Sequence, residues 1–230
     1  MRPGFNLGGS LISEPDEKSR VAELNLEAGR KSKATAAYAS ASTYFSLGMA
    51  LLGDWAWETH PKLTFGLWYE RAECEFLGAN FAEARRLISE LLSRTKSKID
   101  RAAAYRLKIH LYMVESANLE AIRCGLDCLR MFGVVMPAQP TREDVQIEYT
   151  KVWRSLGERS IGSLIDLPLM ANPEMQTVMG VLSVLSRAAY LIDTNLTQLI
   201  VCQMVNISLT HGTTDASAHG YAGFALRSVP

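Results

Sequence analysis

The chain has 230 residues, enough for one large domain or two small ones with a real core. Apolar residues make up 48% and charged residues 21%, as in ordinary globular proteins. Its 24 basic residues are matched by 24 acidic ones, so it lacks the basic footprint of a nucleic-acid binder.

Cys74, Cys124, Cys128 and Cys202 form no CxxC pair and no disulfide framework, and read as buried thiols of a reducing cytosol. Residues 1–13 contain no continuous apolar run; they read as a flexible end, not a signal peptide. The least charged stretch, residues 196–211, falls short of the ~20 residues a membrane span needs. It also carries Thr197, Gln198, Asn206 and Ser208, so a buried helix is expected and membrane insertion is not.

Alternating β-branched runs are missing, and good helix formers dominate. Stops and starts place helices over 17–36, 38–52, 62–77, 81–97, 100–115, 118–132, 142–156, 173–192, 195–211 and 214–226. Gly53 and Gly133 suit left-handed helix ends, and Gly157 and Gly212 suit further stops. Thr141 with Asp144 resembles a capping box, and Asn172-Pro173-Glu174 a capped start. Short connections force successive helices antiparallel.

Small residues recur where paired helices would cross. Ala84 lies twelve after Ala72 across the turn Gly78-Ala79-Asn80, with Phe81 packing over it. Ala41 lies twelve after Gly29, and Ala121 follows the turn Ser116-Ala117-Asn118. The spacing is less regular than the ~34 residues of a tetratricopeptide array. The expected fold is therefore all-α: antiparallel hairpins stacked as an irregular tetratricopeptide-like right-handed superhelix. A generic antiparallel bundle is the rival.

Charge falls away after residue 160, where only Arg187, Arg227, Asp166, Glu174, Asp193 and Asp215 remain. This suggests three regions: a flexible 1–13, tetratricopeptide-like hairpins over 14–135, and poorly charged hairpins over 136–230, truncated at their end. The last region reads as helices covered on most sides. A homodimer through 173–226 is one association this allows.

Candidate chemistry is thin. His211, Asp215 and His219 have ligand spacing, but Gly212 should place His211 on another helix. Cys124 and Cys128 share a face with Leu129 and Phe132, which marks packing. No nucleophile elbow or phosphate loop occurs, and no catalytic residue, cofactor or metal is expected. Glu70, Glu73, Glu75 and Arg71 read as a solvated charged face. Trp55, Trp57 and Trp68 read as a lock between hairpins. In stacked hairpins the first helix of each pair lines the concave wall, which selects Arg30, Lys33, Tyr69, Glu73, Arg106 and His110 as protein-binding candidates. Internal packing is the competing reading for each.

The segments RVAELNLEAGRKSKATAAYASASTYFSLGMALLG, ERAECEFLGANFAEA and MVNISLTHGTTDASAHGYAGFA resemble the helical-repeat region of very large bacterial signalling proteins. In that family a serine/threonine-kinase-like domain and an AAA-type ATPase domain precede the region, and a GAF sensor and a histidine kinase follow it. The resemblance covers residues 14–224 and implies a cytoplasmic, non-catalytic connector whose partners are adjacent domains or a peptide. The family's Walker A loop, kinase loop and phospho-accepting histidine box are not in this chain. The alternative is a small-molecule-sensing helical domain with its ligand near Tyr190, Met204 and Tyr221.

Overall fold

A computed structural model describes residues 14–226 of the chain; the flexible-end expectation for 1–13 lies outside them. The helices are α1 (Pro15–Ala34), α2 (Tyr38–Leu52), the short α3 (Ala56–Thr59), α4 (Pro61–Leu77), α5 (Phe81–Arg94) and α6 (Lys98–Val114), then α7 (Asn118–Arg130), α8 (Arg142–Leu156), α9 (Pro173–Tyr190), α10 (Thr194–His211) and α11 (Asp215–Ala225). A 3-10 turn spans Ile161–Asp166. The fold is all-α, and the described residues contain no strand beyond one isolated bridge.

Local chemistry explains the helix ends. Pro15 opens α1, with Asp16 and Glu17 in its first turn and Lys31 and Lys33 in its last, the signs that the helix dipole favours. Thr141 and Asp144 form the expected reciprocal capping box, with the Asp144 amide donating to Thr141 Oγ1 at 3.2 Å. Asn172 Oδ1 accepts from the Glu174 and Met175 amides. Asp193, which the sequence reading passed over, caps α10 by accepting from the Leu196 amide at 3.0 Å. The helix expected over 81–97 stops at Arg94, because Thr95 turns extended.

Three turns repeat. Between α1 and α2, α4 and α5, and α6 and α7, one residue sits in the left-handed region: Ala36, Ala79 and Ser116, with φ of 57°, 60° and 60°. Each is followed by an amide that reaches back five residues: Ala37 to Ser32 O, Asn80 to Glu75 O and Ala117 to Tyr112 O. These are Schellman-type closures. Five residues beyond each left-handed residue stands a fully buried alanine: Ala41, Ala84 and Ala121. In the second turn the left-handed residue is Ala79, not the neighbouring Gly78, whose φ is −81°.

The packing divides into two compact units, Met1–Ala104 and Tyr105–Pro230, with the division inside α6. In the first unit α2 and α4 pack on α1 and on each other, and α5 packs on α4. Phe45, Leu52 and Leu67 close its core with Ala22, Ala41, Ala56 and Cys74. Each large side chain buried there contributes about 1.5–3 kcal/mol. The helices approach closely because Gly29 leaves room for Phe45: a Cβ there would lie 2.3 Å from the ring.

In the second unit α10 is the hub, packed by α8, α9 and α11, with Leu196, Leu199, Ile200, Met204 and Val205 among its buried residues. The low charge of this region thus corresponds to α9 and α10 being covered. α11 departs from that expectation, burying only Ser217 and Gly220. Residues 196–211 lie within α10, and no helix among the described residues is long and apolar enough to cross a membrane. Ahead of α11, Thr213 pairs with Leu169 as the isolated bridge, its amide donating to Pro168 O at 2.8 Å and its carbonyl accepting from Met170 at 2.9 Å. Gly212 makes this possible with φ 94°, and a Cβ there would meet Pro168 O at 2.4 Å.

Gly29→Ala should lower unfolding stability by about 1–3 kcal/mol, because displacing a buried ring outweighs the ~1 kcal/mol gained from helix propensity. Gly212→Ala should cost at least as much. Urea unfolding checks both, and an unchanged midpoint for either variant would contradict this packing.

Candidate functional site

The first candidate cluster joins α1 to α4. Arg30 Nε donates to Glu70 Oε1 at 2.7 Å, Lys33 Nζ donates to Glu70 Oε2 at 2.5 Å, and Lys33 also donates to Glu73. Three of the six groove candidates, Arg30, Lys33 and Glu73, therefore meet in one ion-paired seam. The expectation of a solvated face over Glu70, Glu73, Glu75 and Arg71 is corrected here. Glu70 is buried, and Glu75 accepts from Ser42 and Asn80 while Arg71 reaches Glu83. For Glu70 and Glu73 the cause is the basic end of α1, whose Arg30 and Lys33 lie opposite them and satisfy them. The sequence shows two cations three apart on one face of α1, but not the carboxylates they meet.

Burial by itself would favour a neutral Lys33 amine, but hydrogen bonds and charge from Glu70 and Glu73 outweigh it and hold the amine protonated above the ordinary lysine range. The nearby Cys74 thiol is also pushed up, to about 11, but chiefly by burial. Burial likewise pushes Cys124 up to about 12. Neither is an activated nucleophile at neutral pH. All four cysteines are buried free thiols.

Tyr69, the fourth candidate, stacks on Phe65 with ring centroids 5.6 Å apart. Trp57 meets Trp68 at 5.8 Å, and Trp55 stands edge-on to His60 at 5.6 Å. The tryptophans thus hold α3 against α4 within the first unit, with Trp55 partly exposed.

The last two candidates, Arg106 and His110, lie in the second unit and line an open cavity of about 610 Å³. Gly180, Arg187, Asp215 and His219 line it too. Arg106 and His110 are among the residues expected from sequence, whereas Gly180 and Arg187 are not, because their place beside α6 depends on tertiary packing. His219 hydrogen-bonds buried Ser186 at 2.8 Å, and His211 ends α10 on the far side of Gly212, so the three residues at ligand spacing do not converge. Among the described residues no group of three or more His, Cys, Asp or Glu side chains is placed to hold a metal.

A second cavity in this unit, of about 370 Å³, is apolar and lined by residues that include Trp153, Leu156, Leu209, Tyr221 and Phe224. Burial raises the Tyr221 phenol above its ordinary range, against opposing effects of Ser208 and Arg159. Tyr190 and Met204, named with it in the sensing alternative, do not line this cavity.

The chain is 21% identical, over 248 aligned residues, to the hybrid signal transduction histidine kinase G of Dictyostelium discoideum. The alignment covers 96% of this chain and 7% of that protein. No family model matches the chain, and no solved structure matches it.

Replacing Lys33 with Met should destabilise the first unit by about 1–3 kcal/mol, since it leaves part of buried Glu70 unsatisfied. The sign of the pH dependence follows from the raised pKa: the contribution is complete below the unfolded lysine value and fades as pH rises through the folded one. The stability gap between the two proteins should hold from neutrality to about pH 10 and narrow only above it. Urea unfolding across pH checks this, and a gap that closed near neutrality would contradict it.

Proposed function

We propose that the chain is a non-catalytic interaction and connector domain in a signal-transduction protein of the histidine-kinase kind. The observation that carries this reading is the alignment itself: nearly the whole chain corresponds to one small portion of a much longer hybrid kinase. The three repeated turns, each followed by a buried alanine at the same offset, support tetratricopeptide-like hairpins stacked as an irregular superhelix. Such a scaffold offers helix surfaces to neighbouring ATPase, GAF or kinase modules without contributing to their chemistry. The buried, high-pKa thiols agree with a cytoplasmic setting.

Two measurements test this. Incubated with radiolabelled ATP and magnesium, the purified chain should take up no phosphate; labelling at His, Asp, Ser or Thr would overturn the non-catalytic reading. Sequencing the surrounding gene should reveal a histidine-kinase, GAF or nucleotide-binding segment in frame. An isolated gene with no signalling neighbour would overturn the connector reading.

A second reading, a small-molecule-sensing domain, is favoured by the apolar cavity between α8, α10 and α11. It leads to a different result: a thermal-shift screen of apolar metabolites should raise the melting temperature of the wild-type chain but not of a Leu209→Trp variant that fills the cavity. A screen with no such hit removes this reading.

A further inference from the structure

The cavity holding Arg106 and His110 has chemistry that goes beyond a general docking role. Arg106 and Arg187 are exposed, and neither has a hydrogen bond or ion pair among the described residues. Arg30, Arg71, Arg86, Arg94 and Arg130 each meet a carboxylate, and Arg123, Arg142 and Arg154 are also without a side-chain partner among the described residues, but only Arg106 and Arg187 line this cavity. The Arg106 guanidinium lies over Gly180, its Nη1 only 3.2 Å from where a Cβ would stand. A larger residue would therefore push this cation off the floor of the cavity. His219, also in the lining, is held by its hydrogen bond to buried Ser186. Asp215 is the one carboxylate in the lining, so the two guanidiniums leave the cavity net positive within an otherwise charge-poor region.

Arg187 and His219 also line a second depression, of about 540 Å³, whose other walls include Tyr190, Leu191, Val201 and Leu226. Tyr190 is 70% exposed and Leu191 68% exposed, a large outlay of apolar surface left facing water. Positive charge and apolar surface thus adjoin along α9 and α11, with Arg187 and His219 shared between them. The cavity is open, which suits an extended segment better than an enclosed metabolite.

We propose that this double depression binds a peptide segment of a protein partner in which acidic side chains lie beside a large apolar one. The carboxylates pair with Arg106 and Arg187, and the apolar side chain settles against Tyr190 and Leu191. Charge complementarity selects this occupant, because an uncharged apolar segment would leave both guanidiniums without partners. The proposal rests on the interaction-domain reading and specifies the partner's chemistry.

The test is fluorescence anisotropy on the full chain with three dye-labelled synthetic peptides: one of alternating Glu and Leu, one with Gln for Glu, and one with Ala for Leu. The Glu/Leu peptide should bind at least about tenfold more tightly than either control, and the double variant R106Q/R187Q should lose about the same factor. Tyr190→Ala should weaken the Glu/Leu peptide and leave the Ala-containing control unchanged. Gly180→Leu, which fills the floor while keeping every charge, should also weaken binding. Circular dichroism melting separates a folded variant from a collapsed one.

Equal binding of the Glu and Gln peptides, or full binding by the arginine double variant, would overturn the proposal. So would inorganic phosphate displacing the peptide as effectively as a second acidic peptide does, since that marks a small-anion site. Self-association through this surface, seen by sedimentation and abolished by Tyr190→Ala without any peptide binding, would overturn it in favour of a second copy. Failure here with a signalling neighbour present in the gene counts against the peptide alone, whereas binding here in a chain that labels itself with phosphate counts against the non-catalytic reading alone.

Discussion

Helices of ordinary girth cannot bring their backbones together unless something small stands where they cross. Phe45 occupies the space that a side chain at Gly29 would need, and Leu185 the space at Gly125. Ala41, Ala84 and Ala121 occupy the corresponding place after each repeated turn, with no surface left to water. That steric condition lets short hairpins bury leucines and phenylalanines on only one face and still form a core. The tight turns in turn depend on a residue with positive φ, a role filled here by alanine or serine at some cost in strain.

Several features were legible in the sequence because they depend on neighbours along the chain. The capping box at Thr141, the start at Asn172, the stops at Gly53 and Gly212 and the small crossing residues all follow from local chemistry. The Gly212 stop pairs a positive φ of 94° with ψ −180°, which lets Thr213 reach Pro168. The pairing of Arg30 and Lys33 with Glu70 was not legible, because it spans some forty residues. A charged helix face looks the same in sequence whether water or an opposing lysine satisfies it. The same limit hid Arg187 and Gly180, which come beside Arg106 only once α9 is packed in place.

The two units use charge differently. In the first, carboxylates and cations neutralise each other between helices, so its electrostatics serve cohesion. Partly buried ion pairs of this sort add little net stability over apolar packing, but they penalise misregistered pairings, because a slipped helix would strand the buried Glu70 carboxylate. In the second, helix α10 is held mainly by apolar contact, while Arg106 and Arg187 have no hydrogen bond or ion pair among the described residues. Groups that cohesion does not use remain available for recognition.

The bridge between Leu169 and Thr213 has a mechanical consequence. Two backbone hydrogen bonds tie the segment before α9 to the turn before α11, though more than forty residues of chain separate them. A pull applied to α11 therefore reaches the root of α9 directly, without first unravelling α10. That clasp fixes the roots of α9 and α11 to each other through backbone alone, independently of the side chains packed between them.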